Sequence, residues 1–407
     1  MEPSQWRSTN RVHTFRHRTT ERNYQPGRHI LDHGKSNRRD QRQCLGAANG
    51  ASANHIILDR VWLHGTTHDD TASAFNLNRM SYAALVDSYT TDFHCTASTG
   101  SCTDAHVVAG GTSSTPDSVN RITGNFLEAS GENILYGGGG AATTPTDIEI
   151  CHNHFFKPMT WMKGQPGFVG GASGNPFVVK NHLELKNAVR VLVEGNIFEN
   201  NWGGFSQSGY SILLTPKNQA GVNGTNLCSI CAATDVTIRY NKISHSGAGI
   251  SMANLPSDNR GIARLGERCS IHDITIDDIQ AGLYVGNGIL FQVYNDWPKN
   301  PLNQISIDHV TGFSRPKAQF SLFRKPFEQS GHVWLQVHQQ HCRAGFVSGL
   351  VGRRSHRLRK VRCPTHQPEF MLYQLELQRH CDYRDEVLSI QMAGRQLLPD
   401  IRGGGAM

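Results

Sequence analysis

At 407 residues the chain has room for two or three ordinary domains, and its formal charge of +7 raises the question of an anionic partner. The charge is unevenly placed. Residues 47–314 carry 15 Lys and Arg against 22 Asp and Glu, and only 8 of the 29 arginines, so a nucleic-acid partner is not expected of that region. No apolar run approaches the roughly 18 residues that a membrane-spanning helix needs, and the first residues, MEPSQWRSTNRVHTFRHR, lack the apolar segment of a secretory signal.

Residues 1–46 are rich in Arg, Gln and His and show no strand or helix period. Residues 315–407 read the same way, with RRSHRLRKVR (353–362) as their densest basic run. Charge without interleaved aromatics is weak evidence for a nucleic-acid surface. Both ends are expected to be irregular basic segments, disordered or translated out of frame and therefore non-native.

Between them a strand-turn-strand unit recurs: HIILDRV, ALVDSY, RITGNFL, IEICHNHF, RVLVEGNIF, VTIRYNKI, ITIDDI and ISIDHV. The turns fall at Asp59, Asp87, Asn125, Asn153, Asn196, Asn241, Asp277 and Asp308, at intervals of 28, 38, 28, 43, 45, 36 and 31 residues. Short β-branched runs of period two, repeated at such spacing, predict an all-β solenoid of about eight rungs. Parallel strands joined by short turns close most naturally as a right-handed parallel β-helix, expected over 47–314. In residues 188–198, Val189, Val191 and Val193 are expected to face one way and Arg190, Leu192 and Glu194 the other. The Asn/Asp series is expected to form a structural ladder, because those side chains tolerate left-handed turns and bond to neighbouring amides.

The long intervals place insertions at 137–146, 158–176 and 216–231, where loops would wall a binding groove. Cys95 and Cys102 bracket a short polar loop suited to a local disulfide, and the CSIC of Cys228 and Cys231 reads as loop stapling of an exported protein. HGTTHDD (64–70) has two histidines at i and i+4, but that spacing aligns ligands on a helix and this segment is a Gly/Thr loop.

GENILYGG (131–138), DIEICHNHFFKPMTW (147–161), KNHLELKNAVRVLVEGNIFENNW (180–202) and QSGYSILLTPKNQ (207–219) together resemble a group of bacterial right-handed parallel β-helix proteins of the pectate-lyase-like superfamily. The resemblance covers about residues 54–313. It implies a fold and a carbohydrate setting, secreted or periplasmic, and no single reaction, since the superfamily holds lyases, hydrolases, esterases, epimerases and non-catalytic adhesins. It also implies a groove on the outside of the sheet built by TDAHVV (103–108), NILY (133–136), HLELK (182–186), SILLT (211–215) and GISMA (249–253).

In HLELK, Leu183 and Leu185 are the inward pair, which leaves His182, Glu184 and Lys186 outside at ~6.8 Å intervals. Asp104 and His106 point out while Ala105 and Val107 point in, and Glu132 and Asn133 enter the strand between. For a uronate polymer this composition suits Ca²⁺-assisted β-elimination: Asp104, Glu132 and Glu184 as metal ligands, Lys186 or His106 as the base beside Glu184. His182, Asn133 and Trp202 are the expected substrate contacts, and Trp161 and Trp297 are further aromatics able to stack on sugar rings. A glycosidase would use two of the acids across the same groove. The alternative is a non-catalytic, adhesin-type glycan-binding module. In either case the expected partner is a polysaccharide, and the chain is expected to be a monomer.

Overall fold

A computed structural model describes residues 43–47, 51–97, 102–254, 257, 261–295 and 302–314, and beyond them the backbone of five short strands between 319 and 389. The expectations for residues 1–42, for the side chains of 353–362 and for Trp297 lie outside the described residues, while Gln43–Gly46, expected to be irregular, is a strand paired in parallel with Ser73–Asn76.

The repeated unit is a strand, a turn and a second strand. Ile57–Asp59 is followed by Trp62–His64, Ala83–Val86 by Tyr89–Phe93, Asn120–Thr123 by Phe126–Ala129 and Thr146–Cys151 by His154–Phe156. Ala188–Glu194 with Ile197–Asn201, and Ala232–Arg239 with Lys242–Ser246, continue the pattern. Each first strand pairs in parallel with the first strand of the next unit, and each second strand with the next second strand. Between units the chain contributes one strand to a separate sheet. Ser73–Asn76, His106–Gly110, Ile134–Tyr136, Leu183–Leu185, Tyr210–Leu214, Ala248–Asn254 and Ile289–Asn295 lie side by side there, all parallel. This nearly all-β, parallel-paired architecture is consistent with a parallel β-helix. Among the described residues the only helical elements are 3₁₀ turns at Met159–Trp161 and Val222–Gly224.

The core follows from period-two burial. Val108, Ile134, Leu183, Ile212, Ile250 and Phe291 are in register across successive strands and are fully buried. Each such side chain contributes about 1.5–3 kcal/mol relative to exposure. In Ala188–Glu194 the alternation shifts by one. Val191 and Val193 are buried as expected, but Ala188 rather than Val189 is the third inward residue, because Arg190 takes a left-handed φ of 54°. Asp147, Asp235 and Arg268 share that conformation. Their side chains pair along the row, Arg190 with Asp147 and Arg268 with Asp235.

The turn ladder is real but shorter than the sequence suggests. Asn125 donates from Nδ2 to Asn153 Oδ1 (2.9 Å), Asn153 to Asn196 Oδ1 (3.0 Å) and Asn196 to Asn241 Oδ1 (2.9 Å). Each Oδ1 also accepts the backbone N–H of the residue before it in the series, as in Asn125 N to Asn153 Oδ1 at 3.0 Å. Asp87 and Asp277 are not members. Val86 is in register with Thr123, so Ser88 stands level with Asn125 and gives its N–H to Asn125 Oδ1. Beyond Asn241 the level residues are apolar: Ile274, one before the Thr275 partner of Lys242, and then Val310. Asp59 and Asp308 also lie off this line, paired with Arg60 and His309.

Candidate functional site

The strands named for a groove do form one sheet, and the cluster sits on its outer side, from the entry of the first strands to the residues just past Leu185 and Leu214. Leu183 and Leu185 are fully buried and turn Glu184 outward by alternation. In His106–Gly110, by contrast, both Val107 and Val108 belong to the core, their N–H groups sharing the Asn133 carbonyl at 3.0 Å, and Asp104 and His106 lie on the outer side ahead of that irregularity. Lys180 Nζ lies 2.5 Å from Asp104 Oδ1 and 3.7 Å from Glu132 Oε1. His106 Nδ1 lies 3.1 Å from the Glu132 carbonyl oxygen and 3.5 Å from its Oε2. One strand further on, Lys186 Nζ is 3.3 Å from Glu184 Oε1, which accepts from Thr215 Oγ1 at 2.9 Å. Glu184 Oε2 faces Asn181 Nδ2 at 3.4 Å. Asp104, Glu132, Glu184, His106 and Lys186 thus come together on three adjacent strands.

The site is recessed. The Glu132 side chain is 1% exposed and that of Glu184 6%, against 17% for Lys186 and 30% for Asp104. Burial pushes the Glu132 carboxyl up despite Lys180, and the nearby Asp104 and Glu184 charges push the same way. Burial also acts upward on Glu184. Lys186, the neighbouring Glu132 carboxyl, the Thr215 hydroxyl and Lys180 outweigh it and hold Glu184 below its usual range. The two acids therefore separate into a proton holder and a carboxylate, the pattern of an acid–base site. For Lys186 and Lys180 the loss of solvent is outweighed by the neighbouring carboxylates, so both are held protonated. Burial takes His106 down to about 4, helped by Lys180 and Lys186 and opposed by Asp104, so its imidazole is neutral at pH 7. With Nδ1–H directed at the Glu132 carbonyl, Nε2 carries the free lone pair.

Two expected substrate contacts are placed elsewhere. His182 and Asn133 are fully buried and face each other, His182 Nδ1 to Asn133 Oδ1 at 2.9 Å. A bend at His182 breaks the alternation assumed for HLELK, so His182 turns inward between Phe155 and Phe198, at ring distances of 6.2 and 6.1 Å. Burial takes its pKa far down. Trp202 and Trp161, 5% and 4% exposed, do line a cleft of about 460 Å³, together with Met162, Phe177, Val179 and Phe205. The 158–176 insertion supplies part of that wall, as the interval lengths predicted. Val179 of this lining immediately precedes Lys180 in the chain, but none of Asp104, His106, Glu132, Lys180, Glu184 and Lys186 lines the cleft. Past the strand ends, beside Lys186 and Thr215, the 137–146 and 216–231 loops meet, Ala141 N to Leu227 O at 3.3 Å, and Cys228–Cys231 staples the second of them. Cys95 and Cys102 are also joined.

The residues fit Ca²⁺ poorly. That ion takes six to eight oxygen ligands, whereas here an ammonium lies against Asp104 and Glu132, another against Glu184, and a ring nitrogen beside Glu132. His64 and His68 do not converge either: each ring Nδ1 faces a backbone carbonyl, those of Gly65 and Gly170. The sequence reading missed Lys180, Asn181 and Thr215. Lys180 shares the parity of Glu184 and Lys186, which was the available signal. It also missed Lys157, a fully buried ammonium within reach of four oxygens.

Comparison of the chain with protein-family models gives no match, and none of the curated proteins matches it in sequence.

Proposed function

We propose that this chain is a carbohydrate-active, right-handed parallel β-helix protein of the pectate-lyase-like kind, folded over 47–314 between irregular basic ends. We place it outside the cytoplasm, as a monomer that cleaves an acidic, uronate-containing polysaccharide by β-elimination. The observation that carries the reading is the convergence of Asp104, His106, Glu132, Glu184 and Lys186 on one outer sheet face.

In this reading the roles differ from those that composition suggested. Lys186, held protonated by Glu184, is unsuited to be the base. With Lys180 it is placed to neutralise the uronate carboxylate, which makes the adjacent C–H more acidic without a bound metal. Neutral His106 is the base. Its Nε2 takes the proton α to the carboxylate, the C=C bond forms as the bond to the glycosidic oxygen breaks, and the imidazolium returns its proton to that leaving oxygen. Glu184 orients Lys186, and Glu132 fixes the His106 tautomer through its carbonyl.

A non-catalytic glycan-binding module is the second reading. Inaccessible Glu132 and the walls of Trp161 and Trp202 favour it. The test is the absorbance of unsaturated product from polygalacturonate and alginate, with the full chain, with and without a chelator. Product in both conditions supports metal-independent elimination. Absence of product with retained polysaccharide binding selects the binding module, and absence of both overturns the carbohydrate reading.

A further inference from the structure

A lysine without solvent contact needs an explanation, because burying an ammonium is costly unless it is fully coordinated. Lys157 is 0% exposed. Its Nζ lies 2.8 Å from Ala129 O, 2.5 Å from Gly131 O, 2.9 Å from Asn133 Oδ1 and 3.3 Å from Asn181 O. An ammonium has three protons to donate, so four oxygens around it form a cage suited to a small monovalent cation. Burial lowers this lysine to about 7, with Glu132 and Glu128 acting in the opposite direction.

The four oxygens are not scattered through the fold. Gly131 and Asn133 flank Glu132, and Asn181 sits between Lys180 and His182. The same Asn133 Oδ1 receives His182 Nδ1, and Asn133 Nδ2 donates to Leu127 O at 2.7 Å. One ammonium thus ties together the two segments that deliver Glu132 and Lys180 to the outer face, just where both chains bend into the sheet. The same two segments also meet directly, Lys180 N to Ser130 O and Ile134 N to His182 O, both at 3.0 Å, and the ammonium adds bonds to the carbonyls on either side of those contacts.

We propose that Lys157 is the positioning residue of the outer cluster, a built-in monovalent cation whose oxygen cage sets the backbone that carries Glu132 and Lys180. The inference does not require that the cluster perform elimination, and its test reads folding and titration rather than turnover, so the two readings fail separately.

Truncation of Lys157→Ala removes three methylenes and the ammonium, which is the bulk of n-propylammonium. The expected result is a fall in melting temperature of roughly 5–10 °C. Saturable recovery is expected with n-propylammonium chloride, and partial recovery with ammonium chloride, beyond that given by sodium chloride at equal ionic strength. Recovery no better than with sodium chloride overturns the cage. Should Lys157→Ala fail to fold, the wild-type chain labelled with ¹⁵N-lysine is measured instead. A slowly exchanging Nζ–H signal, lost in Lys157→Arg, is expected, and its absence overturns the cage equally. Positioning is tested in Lys157→Met by following the carboxyl signal of Glu132 in ¹³C-labelled protein. A titration moved upward by loss of the nearby cation supports the role, whereas a folded variant with an unmoved Glu132 overturns it.

Discussion

The Lys180 ammonium rests 2.5 Å from Asp104 Oδ1 at the mouth of the cluster, with Glu132 Oε1 on its inner side at 3.7 Å. An internal cation therefore holds the place between two acids that composition alone would give to a metal ion. Lys186 plays the same part for Glu184 one strand further on. Counting Glu132 as the proton holder, the two carboxylates Asp104 and Glu184 are balanced by two ammonium groups. A recessed site can hold this many ionisable groups only if their charges nearly cancel.

Removing that counterion should therefore cost more than an exposed ion pair does. Lys180→Met is expected to destabilise the fold by about 3 kcal/mol at pH 7, since it leaves the recessed Asp104 without its counterion. Asp104→Asn in the same chain should restore a large part of the loss. Urea unfolding of both single variants and the double variant measures the coupling, and additive single effects would show that the pair is not coupled.

The cluster also predicts opposite pH limbs. The folded value of Glu132 lies above its ordinary 4.5, at about 8, so the stability it contributes is present below that ordinary value and is lost as pH rises towards 8. For His106 the folded value of about 4 lies below its ordinary 6.5, so its contribution is present above 6.5 and is lost as pH falls towards 4. Glu132→Gln keeps the shape and removes the titration. Its stability relative to wild type should improve between pH 5 and pH 9, by on the order of 2 kcal/mol. A difference that stays constant across that range would show that Glu132 is not the proton holder. His106→Gln should flatten the acid limb in the same experiment.

Turn residues give a sharper test of the architecture. Asn153 is 2% exposed and sits mid-ladder, accepting from Asn125 and donating to Asn196 Oδ1 and Ile122 O. Asn153→Ala strands those partners and should cost about 2–4 kcal/mol. Asp277→Ala, at a residue of similar sequence context that lies off the ladder, should stay within about 0.5 kcal/mol. Equal melting temperatures for the two variants would contradict the register.

That contrast marks how far the residues could be read. Period two and the recurring Asn were enough for the parallel strands and the outward sense of Asp104, His106 and Glu184, and the short cysteine spacings for the two loop disulfides, while the sheet that carries the cluster was implied by the resemblance to parallel β-helix proteins. Ladder membership was not legible at Asp87 or Asp277, because a one-residue change of register swaps Asp87 for Ser88 and nothing in composition reports register. His182 failed for a related reason: the bend before Leu183 sends two successive side chains inward. Lys157 was invisible because the oxygens that make its burial tolerable come mostly from backbone carbonyls, which every residue has.

Turnover separates the two basic groups by their roles. If His106 Nε2 removes the α-proton, His106→Gln should lower kcat by 10²-fold or more with little change in KM, as for loss of a general base. Lys186 is protonated beside Glu184 and 17% exposed, so in the proposed elimination it meets the substrate carboxylate rather than accepting a proton. Lys186→Met should therefore raise KM for uronate polymers as well as lower kcat, and the loss should be smaller on a methyl-esterified substrate, whose neutral ester gains less from the ammonium. Kinetics on the free-acid and esterified polymers decide it. A Lys186→Met variant equally impaired on both would return the base role to lysine, and unimpaired His106→Gln would remove it from histidine.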